Sequence, residues 1–163
     1  MSLKDKTIVV TGGSRGLGLG LVEALVDQGA RVTVVARDPA ALAAVKQKLS
    51  VAVIPADVTD EGTAKRILAD VRPEVLVLNA GATPRMGRLD QLTWADFSAP
   101  WETDVKAGLY WIQAALNLPL APSARVLVSS SGAAQAGLAA FGSFTCGDRG
   151  RLRYSSTVGY RLS

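Results

Sequence analysis

The chain has 163 residues, 48% hydrophobic and 20% charged. That is one ordinary domain with enough apolar content for a real core, which excludes disorder, collagen-like repeats and a multidomain enzyme. One cysteine, Cys146, and no histidine rule out an internal disulfide, a Cys/His zinc site and a Ser-His-Asp hydrolase. The net charge of +4 is local: Met1 to Gly147 carries 14 basic and 13 acidic residues, while beyond it Asp148 stands against Arg149, Arg151, Arg153 and Arg161. The body therefore has no footprint for nucleic acid, and the Arg-rich end is more simply a solvated face. No apolar signal segment follows Met1 to Lys6, and no apolar run approaches the ~20 residues of a membrane helix. The expectation is a soluble cytoplasmic protein without a membrane partner.

Short β-branched or Leu runs occur at Thr7 to Val10, Arg31 to Val35, Val51 to Ile54, Glu74 to Leu78 and Arg125 to Val128. They suit strands buried on both faces, as in a parallel sheet. Helical patterns lie between them. Leu17, Leu21 and Leu25, with Val22 and Val26, repeat at helical spacing; Asp38-Pro39 offers an N-cap with Pro at the first helical position; Thr59-Asp60 starts a helix carrying Ala64, Ile67 and Leu68. Thr93 to Asp96 has the form of a capping box, followed by an apolar stripe of Trp101, Val105, Leu109, Ile112 and Leu116. This alternation predicts an α/β fold: a three-layer, doubly wound parallel sheet of five strands in the order 3-2-1-4-5.

Between the first strand and first helix stands Thr11-Gly12-Gly13-Ser14-Arg15-Gly16-Leu17-Gly18. Gly12 takes a dihedral other residues avoid, Gly16 lets backbone N–H groups approach a pyrophosphate, and Gly18 lets the helix pack closely on the sheet. The stretch also satisfies the Gly-x-Ser-x-Gly nucleophile elbow, but without a histidine nothing accepts the Ser14 proton; Ser14 is expected to cap the helix and contact phosphate. At the end of the second strand, where a carboxylate would select NAD, the sequence has Ala36-Arg37, and Arg15 approaches the same corner. Two guanidinium groups there predict NADP(H) as the cofactor.

With Asp57-Val58-Thr59 after the third strand, Asn79-Ala80-Gly81 after the fourth and Ser129-Ser130-Ser131-Gly132 after the fifth, residues 5–142 resemble the short-chain dehydrogenase/reductase family. The resemblance implies that Gly12, Ser14, Arg15, Gly16, Leu17, Gly18 and Arg37 hold the cofactor. It also implies that Asp57 and Val58 line its adenine, and that Asn79, Ala80 and Gly81 steady the sheet near the ribose. The resemblance further implies that Ser131, with Ser130 as its neighbour, holds the substrate oxygen of a small carbonyl or alcohol, and like chains are expected to associate. Asp104, in Asp104-Val105-Lys106, stands where the family has a supporting Asn. The family's Tyr and Lys are missing at the expected spacing, where Phe144 and Asp148 stand; Tyr154 and Tyr160 have no cation to lower a phenol pKa. Without that pair general acid catalysis forfeits about 10² to 10⁴ in rate, so a dinucleotide-binding module without turnover is the alternative.

The domain boundaries that follow are a dinucleotide-binding unit over residues 1–142 and an atypical basic tail over 143–163. In the tail Leu152, Tyr154, Val158, Tyr160 and Leu162 fall on alternate positions, a strand period. The fold is expected to be incomplete on its C-terminal side, as in a truncated or frameshifted family member, leaving the fifth strand to pair with the tail or a second copy, with a disordered basic tail as the alternative.

Overall fold

The computed structural model describes residues 2–85 and 87–130. Five strands, β1 (Thr7–Thr11), β2 (Arg31–Ala36), β3 (Ala52–Pro55), β4 (Val75–Leu78) and β5 (Arg125–Val128), form one parallel sheet in the order β3-β2-β1-β4-β5. This is the predicted order, with strand ends within a residue or so of those expected. Ser131 and every reading of the tail, including Cys146, lie outside the described residues.

Strand alternation sends successive residues to opposite faces, and both faces are buried. Ile8 and Val10 of β1, Val32 and Val34 of β2 and Val75 and Val77 of β4 pack with Val22, Leu25, Leu42 and Val45 of helices α1 (Gly16–Asp27) and α2 (Pro39–Leu49). Val9, Val35, Leu76 and Leu78 pack on the other face with Ala64, Ile67 and Leu68 of α3 (Glu61–Val71) and Ala107, Trp111, Ile112 and Ala115 of α5 (Lys106–Asn117). The apolar runs of β1, β2 and β4 are continuous because each of these strands serves two cores, whereas the edge strand β5 leaves Leu127 exposed.

Three helix starts follow their sequence signals. Asp38 accepts from the amides of Ala40 and Ala41, and Asp60 from those of Gly62 and Thr63. Thr93 and Asp96 close a reciprocal capping box on α4 (Trp94–Pro100), each satisfying donors the helix cannot. A π-helical turn, Trp101–Val105, joins α4 to α5.

Two apolar stripes are corrected. In α1 the inward residues are Gly18, Val22 and Leu25, while Leu17 is 75% exposed. In the α4–α5 segment the inward face is Asp104, Ala107, Trp111, Ala114 and Ala115; of the predicted stripe Ile112 is buried, but Trp101 and Leu116 are exposed. Gly18 and Ala107, Ala114 and Ala115 share the inward faces with Val22, Leu25, Trp111 and Ile112, so bulk alone does not mark which side meets the sheet.

Candidate functional site

A cleft of about 660 Å³ opens at the C-terminal ends of the strands, where the order reverses between β1 and its two neighbours. Its wall includes Gly12, Ser14, Arg15, Gly16, Leu17 and Gly18 from the β1–α1 turn, Arg37 and Asp38 after β2, and Asp57 and Val58 after β3. Asn79, Ala80 and Gly81 follow β4, with Asp104 from the π-turn and Ser129 and Ser130 after β5. Every sequence-predicted site residue among the described residues thus reaches one cleft.

The β1–α1 turn is built for backbone approach. Gly12 has φ +70°, and a Cβ there would lie 2.6 Å from the Ala80 Cα; a Cβ on Gly18 would collide with the Gly12 carbonyl oxygen. Gly16 has φ +54° and a Cβ position with nothing within 4 Å, so the cleft stays open beside it. Ser14 is not the helix cap. Arg15 takes the N-cap position in extended backbone and makes no side-chain cap bond, and the first turn holds no acidic residue. The first intrahelical donor is the Leu19 amide, which reaches the Arg15 carbonyl, so the amides of Gly16, Leu17 and Gly18 precede the ladder without an intrahelical acceptor. An uncapped N-terminus with its dipole at a cleft suits a diphosphate, and the absent Cβ atoms leave the space for one.

The β4 end is locked to this turn. Thr11 Oγ1 donates to the Val77 carbonyl at 3.3 Å and accepts from the amides of Asn79 at 3.0 Å and Ala80 at 3.1 Å. Asn79 Nδ2 donates to the Gly12 carbonyl at 3.3 Å, and Ser129 Oγ donates to Asn79 Oδ1 at 3.3 Å. A chain of side chains therefore runs from β5 to the glycine turn. Sequence reasoning missed both Thr11 and Ser129 as members; their partners are distant in the chain, so nothing local signals them.

Asp104 is 4% exposed, and its Oδ1 accepts from the Ala82 amide at 2.6 Å, fastening the loop after Gly81 to the π-turn with a charge-assisted bond. That loop is tied again by Arg85, whose Nη1 lies 3.1 Å from Asp96 Oδ2. On the opposite side of the cleft, Asp57 Oδ1 accepts from the backbone amide and the hydroxyl of Thr59, each at 2.8 Å. Those bonds, with Arg37 and Lys106 nearby, hold the Asp57 carboxyl below the usual range against the opposing effect of burial. Outside the cleft, the Lys6 ammonium and the Thr7 amide likewise lower Glu74, which joins β4 to β1.

Both folded-state pKa values are depressed, so their stabilisation is complete above the unfolded values and is lost as pH falls through the folded ones. Urea unfolding should show no loss from these groups between pH 5 and 7 and a decline below about pH 4. Glu74→Gln should lower the plateau and flatten the decline; an unchanged acid limb would remove Glu74 from the account.

The family model described as short chain dehydrogenase matches residues 6–153. The chain belongs to that family. The chain is 35% identical over 139 residues to the short chain dehydrogenase/reductase AacuD of Aspergillus aculeatus, a match covering 80% of the chain and 49% of that relative. It is 42% identical over 85 residues to L-fucose dehydrogenase of Rattus norvegicus, covering 48% of the chain and 32% of the relative. The RhlG/NADP active-site complex of Pseudomonas aeruginosa superposes with a TM-score of 0.85 at 29% identity, over 96% of this chain and 66% of that one. A short-chain dehydrogenase from Burkholderia phymatum, in complex with NAD, shares the fold at 18% identity, with a TM-score of 0.87 over 96% of this chain and 60% of that one. The chain spans about half the length of AacuD and a third of the fucose enzyme. Among the described residues no helix is long and apolar enough to cross a membrane.

Proposed function

We propose that the chain binds NADP(H) in the cleft and belongs to an oxidoreductase acting on a small carbonyl or alcohol. The observation that carries this reading is the uncapped start of α1 opening on a cleft that Arg15 and Arg37 both line. The amides of Gly16, Leu17 and Gly18 would hold the diphosphate, and Ser14 would donate to it. Arg15 and Arg37 would take the 2′-phosphate, where charge-assisted bonds to two guanidinium groups favour it over a bare hydroxyl. Asp38, a carboxylate at that corner, is already engaged by the amides of Ala40 and Ala41. Asp57 and Val58 would line the adenine, and Asn79, Ala80 and Gly81 the ribose side. NADP in the RhlG complex supports the choice of cofactor.

When bound, the nicotinamide ring supplies or accepts the hydride. The chain's own part is to orient a substrate oxygen by Ser131, with Ser130 beside it, and to keep the cleft wall in place through the Asp104 bond to Ala82. The relative named L-fucose dehydrogenase agrees with an alcohol or carbonyl substrate. Phe144 and Asp148, at the expected Tyr and Lys spacing, favour a second reading, binding with little or no turnover. Cytoplasmic location and association of like chains belong to the first reading; sedimentation tests the latter.

The test is a calorimetric titration with NADPH and NADH, followed by a turnover screen against aldehydes, ketones and alcohols. Tighter NADPH binding with turnover supports the first reading, binding without turnover the second. Equal affinities overturn the preference, and no binding overturns both readings.

A further inference from the structure

We infer that Trp111 is a positioning residue for the adenosine side of the cleft, acting through the backbone of Val58; this rests on the dinucleotide-binding reading above. Trp111 is completely buried in α5, and its indole Nε1 donates to the Val58 carbonyl at 3.1 Å. Val58 is 5% exposed and lines the cleft. Its neighbours Asp57 and Thr59 are tied to each other by the two short bonds to Asp57 Oδ1, which make the turn compact but do not fix where it stands relative to the sheet. The Ala56 amide ties the start of the turn to the Ala36 carbonyl at the end of β2; the indole adds the anchor to the helix layer, reaching across 53 residues of sequence.

The geometry singles out this tie from ordinary packing. A Leu, Ile or Phe would fill the space between α3, α5 and the sheet; an indole adds one donor, and here that donor meets a main-chain carbonyl at the cleft wall. The same helical segment holds the other wall through Asp104 and the Ala82 amide. The two ties sit seven residues apart on the inward side, Asp104 in the π-turn and Trp111 in the α5 helix that continues from it, so each wall of the cleft is referenced to one continuous helical segment. Loss of the indole N–H leaves a buried carbonyl without its partner, and the turn must shift or hydrate to satisfy it. The adenosine half of the ligand then meets a displaced wall, while the nicotinamide half does not.

The experiment uses the full chain and two fragments of the ligand, adenosine 2′,5′-bisphosphate and reduced nicotinamide mononucleotide. Trp111→Phe is expected to weaken the bisphosphate roughly five- to tenfold and to leave the mononucleotide unchanged. Ile67→Val, a truncation in the same core, lowers the melting temperature without moving either affinity. Wild-type affinity for the bisphosphate in Trp111→Phe, an equal loss for both fragments, or an equal loss in Ile67→Val would overturn the assignment. Should Trp111→Phe not fold, the wild-type protein answers by NMR. The Trp111 indole proton shifts and exchanges more slowly when the bisphosphate saturates the cleft, and an unmoved resonance at saturation overturns the proposal. If the wild-type protein binds no bisphosphate at all, the dinucleotide reading itself fails, and this inference with it.

Discussion

Arg37→Ala should weaken NADPH binding about ten- to a hundredfold and leave NADH nearly unchanged, because a charge-assisted hydrogen bond is worth roughly 1.5–3 kcal/mol. Arg15→Ala should act in the same direction. The double variant should lose less than the two losses added, since both guanidinium groups serve one phosphate. A second, independent sign accompanies the first. Arg37 helps to hold the Asp57 carboxyl below its ordinary range, so its removal should move the Asp57 titration upward in a carbon-13 carboxyl spectrum even with no ligand present. Calorimetry at fixed ionic strength reads the affinities. An equal loss for NADPH and NADH would mean that Arg37 supports the turn and does not recognise the 2′-phosphate.

Two glycines of the same helix should respond to the same substitution with opposite sign. Gly18→Ala places a methyl group against the Gly12 carbonyl oxygen and close to the Asn79 amide. The first of these is backbone, so α1 must move away from the turn. Overpacking of this kind costs about 1–3 kcal/mol, and because the displaced element carries the diphosphate-facing amides, affinity for either dinucleotide should fall by about a hundredfold or more. Gly20→Ala meets nothing within 4 Å and should stabilise the helix by about 0.8–1.0 kcal/mol with binding intact. Denaturant midpoints and titrations on the pair separate helix propensity from close approach. A Gly18→Ala protein that binds normally would show that the contact between turn and helix has slack.

The strands and their order were legible because each β-branched run is long enough to pair, and the three central ones are apolar enough to be buried on both faces. The caps at Asp38, Asp60 and Thr93 were legible because the donors they satisfy lie two or three residues away. The outward lie of Trp101 and Leu116 was not legible: periodicity reveals that a helix has two faces, and bulk alone does not choose between them when the inward one mixes Trp111 and Ile112 with Ala107, Ala114 and Ala115. Ser14 was misassigned for a related reason. A serine at the end of a glycine turn looks like a cap, but Arg15, in extended backbone, takes that position one residue later.

The cofactor side of the site could be traced in the sequence because each of its pieces is a contiguous turn at a strand end. The couplings between pieces could not. Thr11 meets Asn79, Ser129 meets Asn79 and Trp111 meets Val58 across 50 or more residues, and only the strand order makes those pairs neighbours. Asp104 was identified through the family pattern, whereas its acceptor role toward Ala82 depends on the π-turn.

The central position of β1 has a consequence for synthesis. Its second neighbour, β4, and the Lys6–Glu74 pair that locks them are 68 residues further along, so the apolar flank of Ile8, Val9 and Val10 waits on the ribosome while that stretch is made. At 5–20 residues per second this is roughly 3–14 s. During that interval the nascent chain presents its stickiest edge to chaperones and to other nascent chains, and its yield depends on who arrives first.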